Sequence, residues 1–596
     1  MSNQQRSRRK RTAVLVVHGM GSQRPLDTVR GIVNAVWLEG LIHPERKIWT
    51  HPELSGVDID LSVITTSSIP STDHRVADFH ELYWAHLMSE TRAVAVLLWL
   101  FELARKGPRL KSGMRSLWWC AAIFLALLIL SVAFLVTQAI ERFSGIATER
   151  EGLLIALPVM LTIITFVALM AAVLNGAFRL TRWVGAILLV SAAVVAVFYN
   201  YGDAIHLATL ANNFTPALIA ALIVLSVMDG WGLVAFAAAY LLSIASLALA
   251  IWAGGPSSIP EGEGWIPWML TSHWSALAAW IIIAIYVALY AAFLQPYLGD
   301  AARYFRNSPG NVAVRREIRK QAVDTLDALH RSGDYDRIVV VAHSLGTVVA
   351  YDMLRAYYGR ICDSLPDPRT LGPEVQIIDW EKPAREQARK KGRAVIAAID
   401  RAVEPARQRI KADTPQPSAR DFRAWLVTDF VTMGSPLTHA HYLMCDGKTT
   451  QELDKDFERR VRERQFPTCP PRKLNGDGWL TFKNPNDGLL HFHHGGQFAL
   501  TRWTNLYFPV SQLLWGDAIG GPVAPIFGYN VVDLAVYESN KKRDSFFAHV
   551  LYWVLPQVAA GKAPHIVALQ NAIDLADAGI ADDLESASKQ PVPSSN

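Results

Sequence analysis

The chain has 596 residues and a formal net charge of +5, with 51% hydrophobic and 19% charged residues. This composition excludes a disordered or collagen-like chain. The small net charge, without zinc-finger spacing or a basic recognition helix, argues against nucleic acid as a partner. The four cysteines form no C-x-x-C pair, so we expect no disulfide framework.

The first predicted strand covers residues 14–17 and runs directly into a glycine-rich turn. This turn is His18-Gly19-Met20-Gly21. Glycine allows a backbone to approach a neighbouring group closely, so the turn is a candidate for a functional site. Taken alone, a His-Gly pair is equally compatible with a simple strand-ending turn. The elements predicted next are a helix at 28–39, a strand at 59–65 and a helix at 76–103.

Charged residues are distributed very unevenly along the chain. Between Ser116 and Gly299, 11 of 184 residues are charged, whereas the other 412 residues contain 100. A membrane-spanning helix needs about 20 apolar residues. Six intervals without charge are long enough: 116–140, 152–178, 183–202, 204–228, 230–260 and 264–299. The sequence therefore predicts an all-α transmembrane bundle of about six spans, with four spans and a re-entrant hairpin as the alternative.

Basic residues flank these intervals mainly on one side. Five Lys and Arg lie within 105–115 and four Arg within 303–316, whereas the opposite side offers Arg142 and Arg150. Positively charged flanks remain in the cytoplasm. We therefore expect a multi-pass protein of a bacterial inner or plasma membrane, with both termini and the flanking parts of the chain in the cytoplasm.

After the apolar region, the sequence predicts a helix at 312–329 and a buried strand at 337–342. The strand continues into Ala342-His343-Ser344-Leu345-Gly346, and a helix is predicted at 348–358. A strand, a sharp turn around a serine and a helix make up a nucleophile elbow. The chain therefore resembles the α/β-hydrolase superfamily, in particular lipases and esterases, with Ala342 in place of the first glycine of G-x-S-x-G.

The resemblance implies roles for the residues of both turns. Ser344 would be the nucleophile, and the backbone amides of Met20 and Leu345 would form the oxyanion hole. The residues that would shape the two turns are His18, Gly19, Gly21 and Gly346. The resemblance also implies that the segments before and after the apolar region meet in one hydrolase domain.

In this superfamily an acid and a histidine follow the serine, each after a later strand. Further strands are predicted at 425–433, 501–508 and 531–537. Asp517 lies in a glycine-rich loop after the second of these strands, and His549 follows the last, so we predict them as acid and base. Asp533 is the alternative acid, and His565 is the alternative base.

Two further motifs are less specific. The turn Gly434-Ser435-Pro436 follows the strand at 425–433, and we interpret it as a wall of the active site. His491, His493 and His494 lie close together, and residues two apart on a strand share a face. Because no carboxylate stands at a recognised zinc spacing, we predict no metal site. The serine mechanism that the resemblance implies requires no cofactor.

The predicted fold class is α/β: an α/β-hydrolase-type, mostly parallel sheet with helices on both faces, interrupted by the transmembrane bundle. Residues 1–110 and 301–585 are predicted to form the two parts of the hydrolase domain. The transmembrane domain is predicted at 111–300, and a disordered tail at 586–596.

The predicted function is that of a membrane-bound serine ester hydrolase. The apolar region enters and leaves the hydrolase domain directly, so we expect the membrane as a partner. Lipid or amphiphilic esters, which concentrate in the bilayer, are the expected substrates. An acyltransferase with the same triad is one alternative. A non-catalytic transport or scaffold protein is another, against which the intact serine, acid and histidine candidates argue.

Overall fold

The computed structural model describes residues 10–20, 24–39, 46–52, 62–69, 75–88, 304–305, 309–362, 425–445, 447, 450–472, 478–510, 515–517, 519–538, 548–556 and 563–578. All of them belong to one compact unit, which spans 1–89, 108–117 and 304–596. The six predicted membrane intervals and the predicted tail lie outside the described residues. The predicted domain boundaries stay predictions.

The described part of the chain is built around an eight-stranded mixed sheet. The strands, in chain order, are β1 (Arg11–Val17), β2 (Ile48–Pro52), β3 (Ser62–Thr66), β4 (Val76–Leu82), β5 (Arg337–His343), β6 (Val427–Met433), β7 (Thr481–Lys483), β8 (Leu490–Phe492), β9 (Arg502–Tyr507) and β10 (Val531–Ala535). Strands β7 and β8 form a separate hairpin, and the order across the sheet is β10-β9-β6-β5-β1-β4-β3-β2.

Most of this sheet is parallel. Each neighbouring pair from β10 to β4 is parallel, whereas β3 and β2 are antiparallel to their neighbours. The prediction of a mostly parallel sheet is confirmed. Strand β1 lies between β4 and β5, so segments from both sides of 116–299 form one sheet. The carboxyl ends of β1 and β5 are therefore neighbours at the edge where α/β proteins place their sites.

Helices cover both faces of the sheet. They are α1 (Asp27–Val33), α2 (Pro309–Arg331), α3 (Leu345–Cys362), α4 (Ala440–Leu443), α5 (Thr450–Arg462), α6 (Gln497–Leu500), α7 (Ala524–Phe527) and α8 (Pro564–Ile573). Helices α1 and α8 share an apolar core with Val341 and Val431. On the other face, Trp503 contacts Phe430 and Tyr351 of α3, at ring distances of 5.1 and 5.8 Å. Because both faces are covered, β5 consists of seven buried residues.

Two elements of the N-terminal segment differ from the prediction. Residues 76–82 form the buried strand β4, and not the start of a helix. The polar side chains of β4 have partners: Asp78 accepts the hydroxyl of Thr65 over 2.7 Å, and His80 is bonded to the hydroxyl of Tyr335 over 2.8 Å. A buried strand of this kind shows no alternation of apolar and polar residues. Strand β2 was not predicted, because it is an edge strand whose residues are all exposed.

The predicted transmembrane bundle is corrected by the structure. The two longest helices of the described residues are α2, with 23 residues, and α3, with 18. Both carry charges within their length, such as Arg319 in α2 and Asp352 in α3. No helix in this part of the chain is long and apolar enough to cross a membrane. This finding contradicts the predicted six-span fold and the predicted multi-pass membrane localisation.

Candidate active site

Ser344 lies at the turn between β5 and α3. Its φ is +53°, in the left-handed region that residues with a side chain rarely adopt. Its N–H donates to the carbonyl of Met433 at the end of β6, over 2.9 Å. The side chain is only 1% exposed. A strand, a strained turn and a helix thus hold the serine at the carboxyl edge of the sheet, as in a nucleophile elbow.

The structure brings Ser344, His549 and Asp517 together in one hydrogen-bonded chain. His549 Nε2 lies 2.8 Å from Ser344 Oγ, and His549 Nδ1 lies 2.9 and 3.0 Å from the two carboxylate oxygens of Asp517. An ionised carboxylate can only accept, so Nδ1 carries the proton and donates it. Nε2 is then free to accept from the serine hydroxyl. His549 itself lies in a short 3-10 turn, Ala548–Val550, after β10.

Asp517 is fully buried in the loop after β9. Burial alone raises the pKa of its carboxyl. The charge and hydrogen bond of His549 outweigh this effect and hold that pKa below its usual range. Hydrogen bonds from the Gly520 N–H and the Tyr552 hydroxyl lower the pKa further. The N–H of Ile519 also donates to Oδ1, over 2.9 Å. Asp517 is therefore an ionised acceptor when it faces His549.

The alternative acid and base have other partners. Asp533, within β10, accepts the N–H groups of Val523 and Ala524 and the side-chain amide of Asn505, over 2.7–2.9 Å. It holds the start of α7. His565 is bonded through Nε2 to the carbonyl of Val554, over 3.0 Å. The structure pairs His549 with Asp517, and not with Asp533.

The turn after β1 lies directly against the nucleophile. A Cβ added to Gly19 would lie 2.9 Å from Ser344 Cβ, and one added to Gly346 would lie 2.2 Å from the His18 carbonyl. The two glycines therefore allow an approach that larger residues would block. Met20 follows Gly19 in this turn. Leu345 is the first residue of α3, where helix N–H groups have no intrahelical partner. Gly21 lies outside the described residues.

His18 is held away from the reacting groups by three contacts. Nδ1 lies 2.8 Å from the carbonyl of Gly19, and Nε2 accepts the N–H of Trp84 over 3.1 Å. Its ring stacks on the Trp84 indole at 5.1 Å. Burial lowers the pKa of His18 to about 4, so the imidazole is neutral. Its place in the structure is that of a support for the turn.

Two residues beside the triad were not predicted from the sequence. His343 Nε2 donates to the carbonyl of His549 over 2.7 Å, and burial lowers the pKa of His343 to about 3. The hydroxyl of Tyr552 donates to Asp517 Oδ2 over 2.7 Å. Only their positions, next to Ser344 and three residues after His549, were visible in the sequence.

The turn after β6 borders the site, in the place interpreted as its wall. Gly434 has a φ of +57°, and a Cβ added there would lie 2.7 Å from Asp517 Oδ2. Ser435 Oγ lies 2.7 Å from the hydroxyl of Thr347, which donates to the carbonyl of Ser344. This hydrogen-bonded pair ties the turn to the backbone of the nucleophile.

The histidines around β8 do not form a ligand cluster. His491 is bonded to Asp487 over 2.9 Å, at the surface. His493 is buried, and burial lowers its pKa to about 3. Among the described residues, no three His, Cys, Asp or Glu side chains are placed to hold a metal ion.

Comparison of the chain with protein-family models, with curated proteins and with solved structures gives no match.

Proposed function

We propose that this protein is a serine hydrolase that cleaves carboxylic esters through an acyl-enzyme intermediate. The observation that carries the proposal is the chain from Ser344 to His549 to Asp517, with bonds of 2.8 and 2.9 Å. A nucleophile, a base and an orienting acid in this order are the parts that acyl transfer needs. Their place at the carboxyl edge of a parallel sheet supports the same conclusion.

In the first half of the reaction, Ser344 Oγ attacks the ester carbonyl while His549 Nε2 takes its proton. Asp517 stabilises the imidazolium that forms. The carbonyl oxygen becomes an oxyanion, which the amides of Met20 and Leu345 stabilise. The carbonyl carbon then loses the alcohol oxygen, which leaves with the proton from His549.

In the second half, water attacks the acyl-serine. His549 takes a proton from the water as it attacks and returns one to Ser344 Oγ as the bond between the acyl group and the serine breaks. The products are a carboxylic acid and the free enzyme, so atoms and charges balance without a cofactor.

Exposed apolar side chains beside the triad support an amphiphilic ester as the substrate. Trp515, two residues before Asp517, and Val550, next to His549, are 45% and 38% exposed. The Ala548 N–H donates to the Gly516 carbonyl over 3.0 Å, so the two loops are joined. An apolar acyl chain covers such surface favourably, at about 25 cal/mol per Å².

Ser344→Ala tests the proposal on the full-length chain. We expect the unsubstituted protein to hydrolyse p-nitrophenyl laurate with a higher kcat/KM than p-nitrophenyl acetate, and to be labelled by a fluorophosphonate. Because the triad acts as a unit, Ser344→Ala lowers kcat by about 10⁴-fold or more and abolishes labelling.

The matched control is Ser332→Ala, since Ser332 directly follows α2 and its hydroxyl is bonded to the backbone of Leu329 and Asp334. We expect this variant to keep its esterase turnover and to be labelled by the fluorophosphonate. A Ser344→Ala protein that retained most of its turnover would remove Ser344 from the mechanism.

A further inference from the structure

The hydroxyl of Tyr552 takes part in two hydrogen bonds. It donates to Asp517 Oδ2 over 2.7 Å and accepts the N–H of Phe508 over 3.2 Å. The backbone N–H can only donate, so the hydroxyl proton points to the carboxylate. Tyr552 is fully buried, and its ring lies 4.9 Å from that of Phe508. The hydroxyl is thus fixed in place before any substrate arrives.

The two oxygens of Asp517 are held in different ways. Oδ1 accepts the N–H groups of Ile519 and Gly520 and the shorter contact from His549, whereas Oδ2 accepts Tyr552 and the longer contact from His549. The loop therefore fixes one oxygen, and Tyr552 fixes the other. Without the hydroxyl, Oδ2 loses one of its two contacts, so the orientation of the carboxylate depends more on the bonds to Oδ1.

We propose that Tyr552 is a positioning residue of the triad, which orients the carboxylate of Asp517 and weakens its attraction for the proton of His549. This inference rests on the proposed function. A donor to a carboxylate stabilises its negative charge, so less of that charge acts on the neighbouring imidazolium. Removal of the hydroxyl makes Asp517 more basic, and His549 then keeps its proton to a higher pH.

The other titratable groups that face the pair are neutral over the relevant range. His343 lies 4.8 Å from the His549 ring, and His18 is near enough to His343 to act on it electrostatically. Burial lowers the pKa of His343 to about 3 and that of His18 to about 4. Burial raises the pKa of Tyr552 itself well above its usual value. The acid side of the pH profile therefore reports the Asp517–His549 pair.

Tyr552→Phe tests the inference, because phenylalanine keeps the ring and removes the hydroxyl. On the full-length chain, we expect kcat to fall about tenfold, as for the loss of a hydrogen bond to a charged group. KM should change by less than about twofold, because the hydroxyl touches no substrate. The acid-side midpoint of kcat/KM should move up by about half a pH unit.

Tyr351→Phe is the matched control. Tyr351 is also fully buried, and its hydroxyl donates over 2.8 Å to the carbonyl of Pro467, away from the triad. Tyr552→Phe removes two buried hydrogen bonds and Tyr351→Phe removes one, so both variants report the structural cost of losing a buried tyrosine hydroxyl, but only Tyr552→Phe removes a contact to the triad. We expect Tyr351→Phe to keep the acid-side midpoint of the unsubstituted protein. Equal pH profiles of kcat/KM for the two variants would overturn the positioning role of Tyr552.

A second measurement does not depend on turnover. In protein labelled with ¹⁵N-histidine, the ring nitrogens of His549 report its protonation, and His549→Ala identifies their signals. Tyr552→Phe should shift the midpoint of this titration upward, whereas Tyr351→Phe should not. An unshifted midpoint refutes the inference, even in an active enzyme. A shifted midpoint in a protein without esterase turnover supports the coupling and refutes the proposed function.

Discussion

Ser344 adopts a positive φ that costs a residue with a side chain on the order of 1–3 kcal/mol. Its surroundings hold it there. Its N–H donates to the Met433 carbonyl, and its own carbonyl accepts the Thr347 hydroxyl. The turn after β1 closes over it, because Gly19 has no side chain. The position of the nucleophile thus depends on contacts from β6, from α3 and from the turn after β1.

Gly19→Ala is predicted to disturb the site while leaving the sheet intact. The added Cβ would lie 2.8 Å from His343 Nδ1 and 2.9 Å from Ser344 Cβ, so the turn or the serine must shift. A displacement of this kind lowers kcat by about 10²-fold, as measured with p-nitrophenyl esters. Gly310→Ala is the control, since its Cβ would meet nothing within 4 Å. Equal kcat values for the two variants would contradict the prediction.

At the residue scale, the sequence indicated those site residues that belong to local patterns. Ser344 could be selected from the strand and helix around it, and Asp517 from its glycine-rich loop. Tyr552 and His343 could not be selected, because their roles depend on partners brought together only by the fold. The choice between Asp517 and Asp533 also needed the structure, because Asp517 follows one late strand and Asp533 lies within the next.

At the scale of elements, the amino ends of three strands are joined by buried ion pairs. Asp429 of β6 lies between Arg337 of β5 and Arg502 of β9, with contacts of 2.5 Å on either side. All three side chains are at most 3% exposed. Burial alone raises the pKa of Asp429, but the two guanidinium groups hold it well below its usual range.

Asp429→Asn is predicted to destabilise the fold by about 3–5 kcal/mol, because it removes the carboxylate that two buried guanidinium groups contact. The midpoint of urea unfolding measures this effect. An ionised Asp429 stabilises the fold above the ordinary pKa of about 3.9, and this stability is lost as the pH falls towards the lowered pKa of the folded state. The difference in the free energy of unfolding between the unsubstituted protein and Asp429→Asn should therefore shrink below about pH 4.

The control for this substitution is Asp324→Asn. Asp324 pairs with Arg360 over 3.6 Å at the surface, where both side chains are about half exposed. A surface pair of this kind contributes less than about 1 kcal/mol. An Asp429→Asn protein that unfolded at the same urea concentration as Asp324→Asn would show that the buried cluster does not stabilise the sheet.

The elements that the sequence predicted well are those whose pattern is continuous. Strand β5 was predicted because β-branched residues follow one another on a strand buried on both faces. Strand β4 was interpreted as a helix, because Asp78, His80 and Glu81 interrupt its apolar residues. Each of these three side chains has a hydrogen-bond partner on a neighbouring strand or loop, and such tertiary contacts are not visible in a sequence.

At the scale of the whole molecule, the described sheet has a protected middle and an exposed edge. Strand β1 pairs along its length with β4 on one side and with β5 on the other. Strand β2 has one partner, β3, and all its residues are exposed. Stability is not uniform in such a sheet, because edge strands open more easily than central strands.

Hydrogen exchange of the full-length chain is predicted to follow this order. The amides of β1 should exchange as slowly as those of β5, only when the whole sheet opens, whereas the amides of β2 should exchange first. Mass spectrometry of peptic peptides measures the difference. Exchange in β1 as fast as in β2 would show that the N-terminal segment opens independently of the rest of the sheet.

The place of β1 beside β5 also determines how long β1 lacks this neighbour during biosynthesis. Val17 pairs with Ala342, so β1 meets this neighbour only after the ribosome has added more than 300 residues. At roughly 5–20 residues per second, this interval lasts about 16–65 s. Until then one side of β1 is an unpaired strand edge, which readily pairs with other chains. A nascent chain of this protein therefore depends on a chaperone, or on temporary cover from its own residues, throughout that time.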